Sequence, residues 1–248
     1  MTPPEPPPED AAAEQPPASL WERLDRPAPT PRNALTPHRI AAAAVALADS
    51  EGLDAVTMRR LATTLGVAPM AAYRYVSGKD ELLELMVDSV YAELPLDRSG
   101  TDWRATMRAL ALALRAMNLA HPWTSRAGTF ALTPHQLAVP EHAFAALAEH
   151  GLDSDTTMAV FRTVTDYVRG SVATEVALQT LQHEKGWPDG DAARAALAPR
   201  MTWLMSTGRY PAYHRYLSEA TRKDDRDWQF ETGLDCVLDG VAARLGII

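Results

Sequence analysis

Between Thr57 and Lys79 the chain sets out Arg59, Arg60, Arg74 and Lys79 with two tyrosines, Tyr73 and Tyr75, and no carboxylate. Such residues suit a phosphate backbone: Arg and Lys supply charge, while Tyr donates a hydrogen bond or stacks on sugars and thymine methyls. The window stands out against an acidic chain, with 24 Lys and Arg against 32 Asp and Glu and a net charge of −8. Whole-chain charge argues against nucleic acid, and local distribution overrules it. Residues 35–94 carry five basic and eight acidic groups, yet the carboxylates stay outside this window.

Other chemistry finds less support. The seven histidines include no H-x-x-x-H pair, and His183-Glu184 lacks a second histidine four residues on. His121, before Pro122, reads as a helix-end residue. One cysteine, Cys236, excludes a disulfide framework and a cysteine metal cluster within one chain, and it fits a reducing cytoplasm. Phosphate-loop, dinucleotide-loop and nucleophile-elbow motifs are absent. No catalytic residue, metal or cofactor is therefore assigned. The N-terminus lacks a basic start and an apolar stretch, and no apolar run approaches the ~20 residues of a membrane helix. The expected location is the cytoplasm, with no membrane partner.

The elements that must position the basic window are legible from caps and periodicity. Ala and Leu dominate the apolar set, and period-two runs of Val, Ile or Thr are few, so an all-α protein is expected. Ten of the 19 prolines fall within residues 1–31, among Glu, Asp and Ala. Such a segment buries too little apolar surface to offset its ordering entropy, and residues 1–34 read as a disordered arm. Inside it, "SLWERL" (Ser19 to Leu24) has the makings of one helical turn that docks Trp21 and Leu24.

Thr36-Pro37 is an N-cap followed by proline at the first helical position, and Ile40, Ala44 and Leu47 then recur at helical spacing up to Gly52. Thr57 caps a second helix with Met58, Leu61, Ala62 and Leu65 on one face and Arg59 and Arg60 pointing away. Gly66-Val67-Ala68 is a turn, and Pro69 opens a short third helix. Ser77-Gly-Lys-Asp80 looks like a capping-box start, with Asp in its last position, for a fourth helix running to Leu94. Two helices joined by a three-residue turn with glycine make a helix-turn-helix, whose second helix enters the major groove. Small Ala71 and Ala72 would let that helix approach closely. The same spacing also suits a plain core aromatic at Tyr73 and a solvated helix start at Lys79.

Residues 36–94, "RIAAAAVALADSEGLDAVTMRRLATTLGVAPMAAYRYVSGKDELLELMVD" at their centre, resemble the N-terminal domain of TetR/AcrR-family transcriptional regulators. The likeness rests on the Gly52-Leu53 break, the "TMRRLA" helix, the "LGV" turn, the tyrosine of "YRYV" and the helix start from Lys79 to Leu83. A weaker likeness to the tetracycline-repressor-like branch covers the C-terminal part, in "HPW" at His121 to Trp123 and "FETGLDCVLDGV" at 230–241. The resemblance implies a ligand-responsive regulator, most often a repressor, that binds a palindromic double-stranded DNA operator as a homodimer. By position, Arg59 would reach a base edge or phosphate, Met70, Ala71, Tyr73 and Tyr75 would face the groove with Arg74 beside them, and Lys79 would hold a phosphate. The proline-first helix departs from many members. Ala71 stands where a polar residue often reads a base, which shifts that role to Arg59, Tyr73 and Tyr75.

The expected organisation is an arm (1–34), a three-helix helix-turn-helix domain (35–94) and a larger helical ligand-binding and dimerisation domain (95–248). In the last, helices are expected near 102–119, 126–131, 136–149, 154–183, 190–206, 210–219 and 226–245. Family likeness implies that those near 154–183 and 226–245 pair with symmetry mates. Gly170, Ala173, Ala177, Gly233 and Gly240 allow close approach, either there or within the chain. Trp103, Met107, Met117, Trp123, Phe130, Phe144, Met158, Phe161 and Tyr167 would surround a cavity for a small apolar or amphipathic effector, though each also suits plain core. The competing reading, a helical small-molecule-binding protein or enzyme without DNA binding, leaves the acid-free basic window unexplained.

Overall fold

The structure, a computed structural model, describes residues 19–25, 35–96, 102–127 and 132–247. Most of the expected arm, Phe130 and the end of the helix expected at 126–131 lie outside them. The described residues form twelve α-helices and no strand.

The first, α1 (Leu20–Leu24), is short but well capped: Ser19 Oγ accepts from Glu22 N–H while the Glu22 carboxylate accepts from Ser19 N–H at 2.7 Å. Leu20 is buried, and Trp21 and Leu24 pack against the core. The expected docking is thus present. Helix α2 (Pro37–Glu51) starts at Thr36, whose hydroxyl accepts from Arg39 N–H, and stops at Gly52 with φ 86°. Its apolar stripe, Ile40, Ala41, Ala44, Val45, Leu47 and Ala48, is buried against α3 and α5. Helix α3 (Met58–Leu65) is capped by Thr57 and closed by Gly66, whose left-handed φ of 68° lets its N–H reach back to the last carbonyls. Helix α4 (Pro69–Tyr73) follows, then α5 (Lys79–Tyr91), which buries Leu82, Leu85, Met86, Val87 and Val90.

The start of α5 departs from the capping box expected at Ser77. Its N-cap is Gly78, with no side-chain cap bond. Only the reverse half of the box forms, and from the next residue along: Ser77 N–H donates to Glu81 Oε2 at 2.7 Å. Arg23 of α1 already orients that carboxylate, so Glu81 rather than Asp80 reaches back.

The larger part is organised around α6 (Trp103–Ala120), capped by Asp102 and burying Trp103, Met107, Leu110, Ala111, Leu114 and Met117. After α7 (Thr124–Ala127), helices α8 (Pro134–Leu147), α9 (Ser154–Lys185) and α12 (Arg226–Leu245) pack on it. Salt links supplement the apolar contact, since Arg108 bonds Glu231 and Asp235 of α12 and Arg115 bonds Asp227 and Glu175. Between α9 and α12 run α10 (Gly190–Ser206) and α11 (Pro211–Glu219), neither of which buries a single residue. The helices expected at 154–183, 190–206 and 226–245 are matched closely, α9 running two residues longer.

Gly233 settles one open alternative. A Cβ there would lie 2.2 Å from the Tyr167 hydroxyl oxygen, which donates to Phe230 C=O at 2.8 Å. Its smallness serves α9–α12 packing inside the chain, whereas Gly170 and Gly240 face open space. Gly233→Ala is accordingly expected to destabilise the chain by about 1–3 kcal/mol in urea unfolding, the usual cost of overpacking. In a Tyr167→Phe background the same substitution is expected to cost less, because the nearest clashing atom is gone.

Candidate nucleic-acid interface and its link to the larger helical part

The α3–turn–α4 unit owes its exposed face to what it buries. Leu61 and Ala62 of α3, which packs on α2, Ala72 of α4, which packs on α3, and Val76 after it are buried. Side chains on the far side are therefore driven outward: Arg59, Met70, Tyr73 and Arg74 are exposed, Met70 at 72% and Tyr73 at 44%. Lys79 stands exposed in the first turn of α5. Arg59, Arg74 and Lys79 form no ion pair with any described residue, while Arg60 is neutralised by Glu51 at 2.5 Å. Three cations without an ion pair to a described residue, a phenol and a thioether thus stand exposed on the α3–turn–α4 unit and the first turn of α5.

Two expectations need correction. Ala72 is fully buried, so of the two small residues only half-exposed Ala71 is available for close approach. Tyr75 is half-buried and packs against the core; the backbone turns after Tyr73, where α4 ends, and carries Tyr75 towards the inner face. The outward phenol is Tyr73.

The residues expected around one cavity are dispersed. Trp103, Met107 and Met117 belong to the buried stripe of α6. Phe144 and Phe161 make an edge-to-face pair with centroids 5.8 Å apart between α8 and α9, and Met158 lies a turn before Phe161, partly exposed. Tyr167 borders a cleft of about 450 Å³ between α9 and α12, with Gly170, Thr174, Arg226 and Phe230. A larger cavity, about 710 Å³, lies at the start of α6 and the end of α12, lined by Trp103, Arg104, His150, Ala242 and Ile247. Trp103 stacks edge-on to His150 at 6.4 Å, and its indole N–H has no hydrogen-bond partner among the described residues. Among the described residues no cluster of three or more His, Cys, Asp or Glu is placed to hold a metal. No described helix is long and apolar enough to cross a membrane.

Trp123 has another task, which the sequence reading missed. Its indole Nε1 donates to Asp49 Oδ1 of α2 at 2.7 Å, and His121, the C-cap of α6, bonds the same carboxylate through Nδ1 at 2.9 Å. A second link joins α5 to α8, where Asp88 accepts from His135 N–H at 2.9 Å and bonds His135 Nδ1 at 2.8 Å. Arg126 reaches Asp54 at 3.4 Å. The "HPW" run therefore ties the basic unit to the larger helical part through one carboxylate. Periodicity gives no sign of such pairs, because each joins residues about seventy or fifty positions apart.

Comparison with known proteins agrees with this geometry. Residues 40–86 match the family described as "Bacterial regulatory proteins, tetR family", and residues 94–245 match "Tetracyclin repressor-like, C-terminal domain". The chain is 35% identical over 235 residues to the HTH-type transcriptional repressor DrrR1 of Streptomyces coeruleorubidus, covering 92% of this chain and 86% of that one. It is 34% identical over 242 residues to an HTH-type transcriptional regulator of Saccharopolyspora erythraea, covering 96% and 97%. Among solved structures, ActR of Streptomyces coelicolor in complex with actinorhodin superposes with a TM-score of 0.70 at 26% identity, over 85% of this chain and 97% of that one.

Removing the shared carboxylate tests the link. In Asp49→Ala the buried Trp123 N–H loses its acceptor, for which a loss of about 1–3 kcal/mol in denaturant unfolding is expected. Asp54→Ala, whose ion pair with Arg126 is long and exposed, is expected to change stability by less than about 0.5 kcal/mol.

Proposed function

The chain belongs to the TetR family of bacterial regulatory proteins and is a ligand-responsive transcriptional regulator; we propose that it works as a homodimeric repressor on a palindromic operator, released by a small apolar or amphipathic effector, and that it carries no enzymatic activity. The observation that carries the reading is the exposed face of the α3–α4 unit and the start of α5, where Arg59, Arg74 and Lys79 stand without an ion pair to any described residue, with Tyr73 and Met70 also exposed, in an otherwise acidic chain. In this reading Lys79 and Arg74 hold phosphates, Arg59 and Tyr73 approach base edges, and Ala71 and Met70 make the close apolar contact with thymine methyls. Tyr75 supports the unit from inside.

Homodimerisation is supported by the faces left without cover. The helices α10 and α11 bury nothing and expose Leu197, Trp203, Tyr210, Tyr213 and Tyr216, with Trp203 at 65%. Helices of 17 and 9 residues gain little from propensity alone and need tertiary contact to persist. On α9, Gly170, Ala173, Ala177 and Leu181 form an exposed small and apolar stripe at helical spacing, and Cys236, Gly240 and Ala243 do the same on α12. A second copy of the chain would cover both sets and place two reading heads about 34–36 Å apart, the spacing of successive major grooves. The division into reading and regulatory parts falls near residue 95.

An effector in the larger part acts only through different affinity for the DNA-competent and DNA-incompetent arrangements. The Asp49 and Asp88 links are the contacts through which such a difference would reach α2 and α5. ActR was solved with actinorhodin, which makes actinorhodin the first compound to test. The cavity beside Trp103 and His150 and the Phe144–Phe161 region are the sites to examine.

Selection of bound fragments from genomic DNA, followed by gel shift with and without candidate effectors, tests the function. Lys79→Ala and Tyr73→Ala are expected to weaken operator binding without unfolding the chain, and Lys79→Ala to flatten the log–log salt dependence by about one unit. Unchanged affinity in both would remove the contact assignment. Sedimentation of the whole chain at about ten micromolar is expected to give a dimer, and Ala177→Asp to give a monomer with weaker operator binding. A monomeric unaltered chain would contradict the two-headed reading.

A further inference from the structure

The short helix ahead of the reading unit makes a specific contact beside the proposed DNA face. Arg23 of α1 forks onto Glu81 of α5, Nη1 to Oε1 at 3.0 Å and Nη2 to Oε2 at 2.7 Å. The same Glu81 oxygen accepts the Ser77 N–H at 2.7 Å. Ser77 and Gly78 form the turn between Arg74 and Lys79, and Gly78 is the uncapped N-cap of α5. One guanidinium thus reaches, through one carboxylate, the backbone turn on which two of the three free cations are mounted. Buried Leu20, with Trp21 and Leu24 packed on the core, seats the helix, and the Ser19–Glu22 capping box closes its start.

We propose that Arg23 is a positioning residue for DNA reading: it clamps Glu81, which fixes the Ser77–Gly78 turn and so the placement of Arg74 and Lys79. The inference rests on the DNA-reading face proposed above. Two physical effects run together. The first is geometric. Without Arg23, Glu81 is free to leave the Ser77 N–H for solvent, and since Gly78 supplies no side-chain cap, the turn ahead of α5 loses a side-chain restraint on its N-terminal side. The second is electrostatic. Glu81 lies two residues from Lys79, and an unpaired carboxylate there would oppose an approaching phosphate within the screening length of about 8–10 Å. The fork from Arg23 neutralises that charge and holds the carboxyl below the usual Glu range.

Exposure argues that the contact is not kept for stability. The Arg23 and Glu81 side chains are 39% and 18% exposed, and pairs of this kind contribute little to folding. What a bidentate fork gives is orientation. An expendable pair for the fold, aimed at the turn between phosphate-binding residues, is what a positioning role requires.

The test uses the full chain and a duplex carrying the selected operator, against a scrambled duplex of the same length. Arg23→Ala is expected to weaken binding to the operator by about tenfold, and to the scrambled duplex as well because phosphate contacts are shared by both, with the melting temperature nearly unchanged, and Arg23→Lys to restore only part because it cannot fork. In the Glu81→Gln background Arg23→Ala is expected to add little, since both act through one contact. Lys79→Ala run in parallel separates the two levels of the argument. If Lys79→Ala weakens binding while Arg23→Ala leaves the operator affinity untouched, the positioning role is wrong and the DNA face stands. If neither variant changes binding, the face itself is wrong and the positioning role falls with it. A drop in melting temperature with an unaltered operator affinity in Arg23→Ala overturns the proposal in favour of a purely structural pair.

Discussion

Burial of the α6 stripe is the constraint on which the larger part is built. Trp103, Met107, Leu110, Ala111, Leu114 and Met117 lie along one helix, and α8, α9 and α12 all pack on it. Full burial of side chains of this size stabilises by about 1.5–3 kcal/mol each before chain entropy is subtracted. The polar flank is used as well, with Arg108 and Arg115 reaching four carboxylates on α9 and α12. Because α6 ends at His121, directly before Pro122 and Trp123, the same helix that organises the core delivers the "HPW" run to Asp49. A displacement of α6 along its axis would reach α2 without passing through a flexible connection.

The reading unit depends on a second constraint. Helix α4 has five residues and cannot persist alone. It is fixed from beneath by Ala72 and Val76, from the N-terminal side by the left-handed Gly66 turn and Pro69, and from the C-terminal side by the Ser77–Glu81–Arg23 chain. Its outward residues have no structural work to do, which is why Met70 and Tyr73 stand in solvent at a hydrophobic cost that the isolated chain does not recover. Arg59, Arg74 and Lys79 likewise carry charge that no described carboxylate neutralises, whereas Arg60 beside them is paired with Glu51. In the proposed DNA complex, both the exposed apolar surface and the unpaired charge find their partners.

Much of this was legible in the chain itself. Threonine and aspartate caps, glycine stops and apolar repeats at helical spacing operate within three or four residues, so the order and nearly all the bounds of the helices follow from local rules. The acid-free window and its glycine turn marked the basic face for the same reason, and "SLWERL" announced a docked turn through its capping and its Trp and Leu. What escaped that reading was the choice among chemically equivalent partners. Tyr73 and Tyr75 are two residues apart and alike, and only the end of α4 decides that one faces out and the other in. Glu81 rather than Asp80 reaches back to Ser77 because Arg23 has already turned it. Gly233 is small where Tyr167 of its own chain packs on it. Asp49 and Asp88 meet His121, Trp123 and His135 across long stretches of chain. Local spacing determines where a helix begins, ends and turns its apolar stripe; which carboxylate meets which donor is set by how those stripes pack, and packing is a property of the whole chain.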